Sequence, residues 1–197
     1  MKALSLFLIS LSLISTSCSS KKHHKEKKEE VSTTGMGRIS EEKARAVTAS
    51  WPEQNKEVMN KLISKYGLPN ESTSDSLIWN NNGPWTRTEL TNQGNNQMLV
   101  QTANLDVPTQ KISDLALFNK SIMVNQGQNE ISSASNHEEL NFLSLNLAND
   151  IVNNRIGPFE ARKRYSYYTD YMGKSNYIDN LHFKDSSLIQ SQEIDEE

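Results

Sequence analysis

The chain has 197 residues and a single cysteine, Cys18. No disulfide can form within it, so its folded part must be stabilised by packing of apolar side chains. From Cys18 onward there are 180 residues (197 − 17), enough for one hydrophobic core. We therefore expect one domain, without disulfides, in the part of the chain that follows the cysteine.

Cys18 follows a segment with the features of an export leader. Met1-Lys2 precedes an apolar stretch, Ala3–Ile14, and Ser15-Thr16-Ser17 separates that stretch from the cysteine. A charged start, a short apolar run and small residues before a cleavage point are typical of a secretory signal. A helix of this length extends only about 18 Å, too short for a hydrocarbon core of about 30 Å. The pattern predicts a signal peptide at residues 1–17.

The segment before the cysteine resembles a bacterial lipobox, although Ser15 stands where strict lipoboxes have an aliphatic residue. The alternative is an ordinary secretory signal with an unrelated cysteine. The resemblance implies that Cys18 carries acyl chains, such as palmitate, that anchor the protein in a membrane. By analogy with sorting in enterobacteria, Ser19 implies the outer membrane, with the domain facing the periplasm or the exterior.

The charge of the chain changes sign after residue 38. Residues 19–38 contain six basic and three acidic residues, whereas residues 39–197 contain fourteen basic and twenty-one acidic ones. With few apolar residues to bury, residues 18–38 are expected to form a disordered basic tether, which either contacts lipid headgroups or is a solvated spacer. Residues 184–197 are expected to be a disordered acidic tail. An acidic domain also argues against nucleic acid as a partner.

Two helices are predicted at the start of the domain, which we place at residues 39–183. Ser40 can cap the first, and Ser50 with Glu53 has capping-box spacing for the second. In the second, larger side chains recur every three or four residues: Trp51, Asn55, Val58, Met59, Leu62, Ile63 and Tyr66. Gly67 should end this helix.

Short strands separated by turn residues follow. Strands are predicted at Ser76–Trp79, Trp85–Thr91, Gln97–Val107, Ser121–Asn125 and Asn129–Ala134, with a turn at residues 80–84 and a helix at Ile112–Phe118. The segment Tyr177–Phe183 is expected to add an edge. These elements indicate an α+β fold, in which a small antiparallel sheet of about four or five strands packs against N-terminal and C-terminal helices.

The strongest helical pattern lies in the C-terminal half. Asn136 and Glu139 have capping-box spacing before an apolar stripe formed by Leu140, Leu143, Leu147 and Ile151. This helix should cover one face of the sheet. A last helix should begin near Pro158 and bury Phe159, Ala161, Tyr165 and Tyr168.

Three polar residues on the covering helix are candidate binding residues. Asn146 and Asp150 are four residues apart and Asn149 is adjacent, so they form a polar ridge with one carboxylate. The ridge could hold a ligand or cap a loop, and an exposed helix face explains it equally well. Arg162-Lys163-Arg164 could likewise contact a partner or lipid headgroups, or form a solvated face around core tyrosines.

The sequence lacks the motifs of the common enzyme classes. There is no G-x-S-x-G, no H-E-x-x-H, no phosphate-binding glycine loop and no EF-hand spacing. His23-His24 and His137-Glu138-Glu139 lack metal-ligand geometry. We therefore expect no metal, no cofactor and no catalytic residue. His137 and His182 are the remaining proton carriers of the domain.

Several motifs together resemble a family of uncharacterised bacterial lipoproteins and envelope proteins. They are Tyr66-Gly67-Leu68-Pro69, Leu77-Ile78-Trp79, Gly83-Pro84-Trp85, Asn141-Phe142-Leu143, Asn146-Leu147-Ala148-Asn149-Asp150-Ile151-Val152 and Glu160-Ala161-Arg162, within residues 40–171. The resemblance implies one domain with this order of elements, and it implies no activity. We expect a lipid-anchored envelope protein that binds or scaffolds, with another envelope protein as partner. The alternative is a periplasmic hydrolase or lyase in which His137 or His182 acts with a carboxylate.

Overall fold

A computed structural model describes residues 37–93, 98–171 and 176–183. The predicted leader, Cys18, nearly all of the tether and the acidic tail lie outside the described residues. The helices are α1 (Glu41–Thr48), α2 (Glu53–Tyr66), α3 (Ile112–Phe118), α4 (Glu138–Val152) and α5 (Pro158–Tyr171), with short 3-10 helices at Thr109–Lys111 and Asn176–Ile178. Within the described ranges, no helix is long and apolar enough to cross a membrane.

Six strands of the described residues form one antiparallel sheet. They are β1 (Glu71–Ser72), β2 (Ser76–Asn82), β3 (Trp85–Thr91), β4 (Leu99–Asn104), β5 (Ile122–Asn125) and β6 (Glu130–Ser135), in the order β1-β2-β3-β4-β6-β5. The predicted α+β class is confirmed. The sheet has more strands than the four or five expected, because β1 has only two residues and no alternation reveals it.

The N-terminal helices follow the predicted pattern, with one correction. The Ser40 hydroxyl accepts a hydrogen bond of 3.2 Å from the Lys43 N–H and so caps α1. The capping box expected at Ser50 is wrong. Helix α2 begins after Pro52, which has an extended backbone, and no side chain caps it. Gly67 ends α2 as predicted, with a φ of 79° that disfavours other residues.

The β2–β3 hairpin turns over two residues, Gly83 and Pro84. Asn82 pairs with Trp85, so the predicted five-residue turn is shorter, and Asn80–Asn82 continue the strand. Gly83 has a φ of 66°, as the first central position of a type II′ turn requires. A Cβ at Gly83 would lie 2.9 Å from the Tyr66 ring. The turn therefore needs glycine both for its conformation and for the close approach of α2.

One face of the sheet is covered by helices in two adjacent groups. Leu77 pairs with Leu90 and Leu90 with Leu99, so these side chains share a face, where they pack with residues of α1 and α2. Ala103 and Ile131, on the same face, pack with residues of α4. The other face carries mainly polar side chains, as is usual for an antiparallel sheet with one solvated side.

Helix α4 is the centre of the second group. Every residue from Asn141 to Ile151 is buried. The sheet lies on one side of α4, and α3, α5 and the 3-10 helix at Asn176–Ile178 lie on the other. The predicted stripe of leucines is confirmed, but α4 is buried all round. Its N-cap is His137 rather than Asn136, and no side chain caps it.

Two expectations for the C-terminal region are wrong. Residues 177–183 pack on α4 instead of adding an edge to the sheet, whose edges are β1 and β5. Phe159 is 70% exposed. Ala161 lies two residues further on and is buried, and two such residues point about 200° apart on a helix, so both cannot face the core.

Candidate functional site

The carboxylate of Glu138 lies where the two helical groups meet over the sheet. Its Oε1 accepts hydrogen bonds from the Tyr66 hydroxyl (2.6 Å), the Trp85 indole N–H (2.7 Å) and the Gln101 amide (2.9 Å), and its Oε2 accepts one from Lys65 Nζ (2.6 Å). Only 13% of the Glu138 side chain is exposed. A nearly buried carboxylate thus accepts from four donors, of which only Lys65 is charged.

Local structure places each donor at this point. Lys65 and Tyr66 are in the last turn of α2, which Gly67 ends. Trp85 follows the tight Gly83-Pro84 turn, and its ring stacks on Phe142 of α4 at 4.7 Å between centroids. Buried tryptophan and tyrosine need a partner for their polar atoms, and Glu138 in the first turn of α4 provides it.

A row of buried polar side chains extends this cluster across the sheet. Thr88 pairs with Gln101 and Gln101 with Ser133, and all three are buried on the covered face. The Gln101 Oε1 accepts a hydrogen bond of 3.0 Å from Asn141 Nδ2. Gln101 therefore connects the strand to α4 through both ends of its amide, which fixes the register of α4 over the sheet.

The hydrogen bonds keep Glu138 ionised. Burial alone would raise the pKa of this carboxyl, but the four donors together hold the pKa below its usual value. Burial, and then the hydrogen bond to Glu138, raise the pKa of the Tyr66 hydroxyl. A carboxylate that is saturated with donors and has a lowered pKa is a poor general base near neutral pH. Its geometry is suited to holding neighbouring groups in place.

A cleft of about 150 Å³ lies beside this carboxylate, between α2 and the start of α4. Its floor is apolar and consists of Val58, Leu62 and Leu99. Its walls are polar and consist of Lys61, Lys65, Asn136, His137, Glu138 and Glu139. Among the described residues, Lys61 forms no ion pair, whereas Lys65 is held by Glu138 at 2.6 Å. The cleft thus combines an apolar base, a rigid charged wall and an unpaired cation at its rim.

The two histidines of the domain are not brought together. His137 lines the cleft at the start of α4. His182 packs edge-on against Tyr177 at 4.8 Å, and its backbone N–H bonds to Asn146 Oδ1 at 2.9 Å. Asn146 is nine positions after His137, which corresponds to about 13 Å along α4. The two histidines therefore have separate surroundings, since His137 shares the cleft with Glu138 and Glu139 whereas His182 is bound further along α4.

The predicted ridge of Asn146, Asn149 and Asp150 is buried, so the exposed-face interpretation is wrong. Asn146 Nδ2 donates to the backbone oxygens of Tyr177 (3.0 Å) and Asn180 (2.7 Å). Asn146 therefore holds the C-terminal segment on α4, which agrees with the loop-capping interpretation. Ligand binding by the ridge stays a prediction.

The other two ridge residues also contact this chain. Asp150 accepts hydrogen bonds from the Tyr177 hydroxyl (2.7 Å) and from Arg155 Nη1 (3.1 Å). Asn149 Oδ1 accepts from Asn153 Nδ2 at 2.9 Å. Asn146 and Asp150 thus fasten the C-terminal segment to α4, whereas Asn149 stabilises the end of α4 itself.

Sequence reasoning missed the Glu138 cluster. Tyr66, Trp85 and Gln101 belong to three different elements, and only the sheet order brings them to α4. One signal was present, because a glutamate in the first turn of a strongly apolar helix must find partners when that turn is buried. No group of three or more His, Cys, Asp or Glu residues able to hold a metal occurs in the described part of the chain.

Comparisons with known proteins give no relative. No family model matches the chain, and no curated protein and no solved structure is significantly similar to it. The resemblance to bacterial envelope proteins stays a prediction.

Proposed function

We propose that the protein is a lipid-anchored component of a bacterial cell envelope whose domain binds another envelope protein. The leader before Cys18 supports the anchor, and the outer membrane is the location that Ser19 favours. The cleft beside Glu138 supports binding, and it is the observation that carries this proposal.

The size of the cleft indicates what it binds. Sites for whole metabolites or cofactors are usually about 300–1,000 Å³. A volume of about 150 Å³ is close to that of a cavity known to hold one benzene ring. The cleft therefore suits a single side chain of a partner protein, with an apolar group on the Val58–Leu62–Leu99 floor. Its wall is preorganised by the bonds to Glu138, which lowers the entropic cost of binding.

The histidine–carboxylate alternative has less support. Its carboxylate in the cleft would be Glu138, whose pKa is lowered by four donors, or the exposed Glu139. General base catalysis favours a pKa near the working pH. His182 is bound at Asn146, about 13 Å further along α4. The arrangement thus favours a rigid binding wall over a proton-transfer pair.

Site-specific photo-crosslinking in the producing cell tests this proposal. A photoreactive residue replaces Lys61 at the rim of the cleft, and the matched control replaces Lys43, which is exposed on α1 outside the cleft. We expect one discrete protein adduct from position 61 and none from position 43. Adding Val58→Phe should fill the cleft and abolish the adduct while thermal unfolding stays cooperative.

A second variant separates binding from catalysis. His137→Ala should keep the adduct at position 61, because the imidazole only lines the wall. Equal adducts from positions 61 and 43, or an adduct that survives the filled cleft, would contradict a binding role for the cleft.

A further inference from the structure

Three exposed apolar or aromatic side chains and one exposed arginine lie on α3 and α5. Leu117 is 50% exposed, Phe159 is 70% exposed and Tyr167 is 59% exposed. The Arg162 guanidinium donates to the backbone oxygen of Leu117, and it lies 5.8 Å from the centroid of the Phe159 ring. Arg162 therefore joins Leu117 of α3 to Phe159 of α5 in one surface.

The surface continues along α5. Phe159, Lys163 and Tyr167 are spaced four residues apart, so they form a ridge on one side of the helix. Lys163 is exposed between the two aromatic side chains. We call these five residues, Leu117, Phe159, Arg162, Lys163 and Tyr167, the α3–α5 ridge.

No acid among the described residues neutralises the two cations of the ridge. Neither Arg162 nor Lys163 forms an ion pair within the described part of the chain. The nearest acid on α5, Glu160, is bound to Arg164 at 3.0 Å. Asp170 lies one turn beyond Tyr167, at the end of the ridge. Residues 39–183 contain thirteen basic and sixteen acidic residues. The ridge is therefore a positive surface on a domain whose net charge is negative.

From this geometry we infer that the α3–α5 ridge docks the domain onto a membrane surface rich in anionic lipid headgroups. Exposed aromatic and leucine side chains flanked by arginine and lysine are the composition of interfacial contacts. The aromatic side chains enter the headgroup region, and the two cations face lipid phosphates. Each basic side chain near an anionic surface contributes about fivefold to binding (about 1 kcal/mol).

This docking rests on the proposed anchor for its strength. Gly37 is nineteen positions after Cys18, and a chain of that length spans at most about 65 Å when extended. A domain tethered within that distance docks in an intramolecular step, so a weak contact suffices. The domain would then lie on the bilayer with the ridge down.

Fluorescence of the full-length lipidated protein in vesicles tests the inference. Phe159→Trp places a reporter indole in the ridge, and Asn60→Trp places the matched control on exposed α2. The native tryptophans are buried, and wild-type protein supplies their background. Vesicles are made of phosphatidylcholine with or without phosphatidylglycerol. The intact mass of each preparation reports acylation separately, so failure of the anchor is distinguished from failure of docking.

We expect the emission of the Phe159→Trp protein to move to shorter wavelength and to be quenched by brominated lipids only in vesicles with phosphatidylglycerol. The emission of the Asn60→Trp protein should not respond. Adding Arg162→Gln and Lys163→Gln to the ridge reporter should lower the docking equilibrium about twenty-fivefold, as two losses of about fivefold predict.

Two results overturn the inference. One is a ridge reporter that behaves like the α2 control, or that responds equally in both vesicle types. The other is a shift of the ridge reporter without lipid that grows with protein concentration, because a second copy of the chain would then cover the ridge.

Discussion

At the scale of single residues, Glu138 shows how a buried charge can be held by neutral neighbours. Three of its four donors are uncharged, and they come from α2, β3 and β4. Removing one partner from such a group leaves the others unsatisfied, which usually costs more than the net value of one hydrogen bond. The residue is thus a joint between the two helical groups as well as a wall of the cleft.

The variant Glu138→Gln tests the joint. The amide cannot pair with Lys65, and its NH₂ group would face donors, so we expect a loss of about 2–4 kcal/mol in the free energy of unfolding. Urea denaturation measures it. The matched control is Glu139→Gln, which is exposed and should change stability by less than about 0.5 kcal/mol. Equal, small effects would show that the Glu138 contacts are not important for stability.

The raised pKa of Tyr177 predicts how stability changes at alkaline pH. Burial, and then the hydrogen bond to Asp150, raise the pKa of Tyr177 from its usual 10.0 to about 12. The folded state keeps this proton longer than the unfolded state, so its contribution is complete below pH 10 and is lost as the pH rises to about 12. Tyr177→Phe should therefore reduce the alkaline slope of the unfolding free energy, measured by denaturation over this range. Tyr167→Phe, which removes the hydroxyl of an exposed tyrosine, is the matched control.

The lowered pKa of Glu138 predicts how stability changes at acid pH. Its pKa is lowered on folding, so its stabilising effect is present above its usual pKa of 4.5 and is lost as the pH falls through the lower, folded-state value. The wild type should consequently lose stability in acid more steeply than Glu138→Gln. If the unfolding free energies of the two proteins fell equally steeply with decreasing pH, that result would contradict the ionised state that we assign to Glu138.

At the scale of elements, α4 organises the C-terminal half of the domain. Leu147 is fully buried among the sheet and the outer helices. Leu147→Ala should cost about 2–5 kcal/mol, because the truncation leaves a cavity that the surrounding elements only partly close. Leu117→Ala is the matched control, since half of that side chain is exposed and its loss should cost little. Thermal and chemical denaturation compare the two, and equal destabilisation would contradict the central position of α4.

The C-terminal segment depends on one side chain of α4. Asn146 bonds to Tyr177, Asn180 and His182 through both of its polar atoms. Asn146→Ala should release this segment, and hydrogen exchange at the His182 amide should become much faster than in the wild type. Asn153→Ala, which affects only bonds to Asn149, should leave that amide protected. Unchanged protection in Asn146→Ala would show that other contacts hold the segment.

Local patterns were sufficient to predict most elements. Helix α3 has the predicted bounds, and the β2–β3 and β5–β6 hairpins form where turn residues interrupt the strands. The spacing of apolar residues did not predict elements or buried positions where too few residues carried the pattern. Strand β1 has two residues, and Phe159 lies in a helix whose buried side is set by the smaller Ala161. The Asn146 ridge was assigned too much exposure because packing on both sides of α4 depends on tertiary structure.

At the scale of the whole molecule, the helices cover one face of the sheet, and the other face carries mainly polar side chains. One face is covered by two helical groups that meet at Glu138 and leave the cleft between them. The cleft could not be predicted from the sequence, because its residues come from α2, β4 and the start of α4. The segment before Cys18, the cleft and the α3–α5 ridge are the three features on which the proposed anchor, partner binding and membrane docking depend.

The central claim is the anchor at Cys18, and mass spectrometry of the protein purified from membranes of the producing cell tests it most directly. We predict an N-terminal peptide that begins at Cys18 and carries acyl chains. Cys18→Ala should abolish this modification and release the protein from the membrane fraction. An unmodified Cys18, or a chain that keeps residues 1–17, would contradict the account.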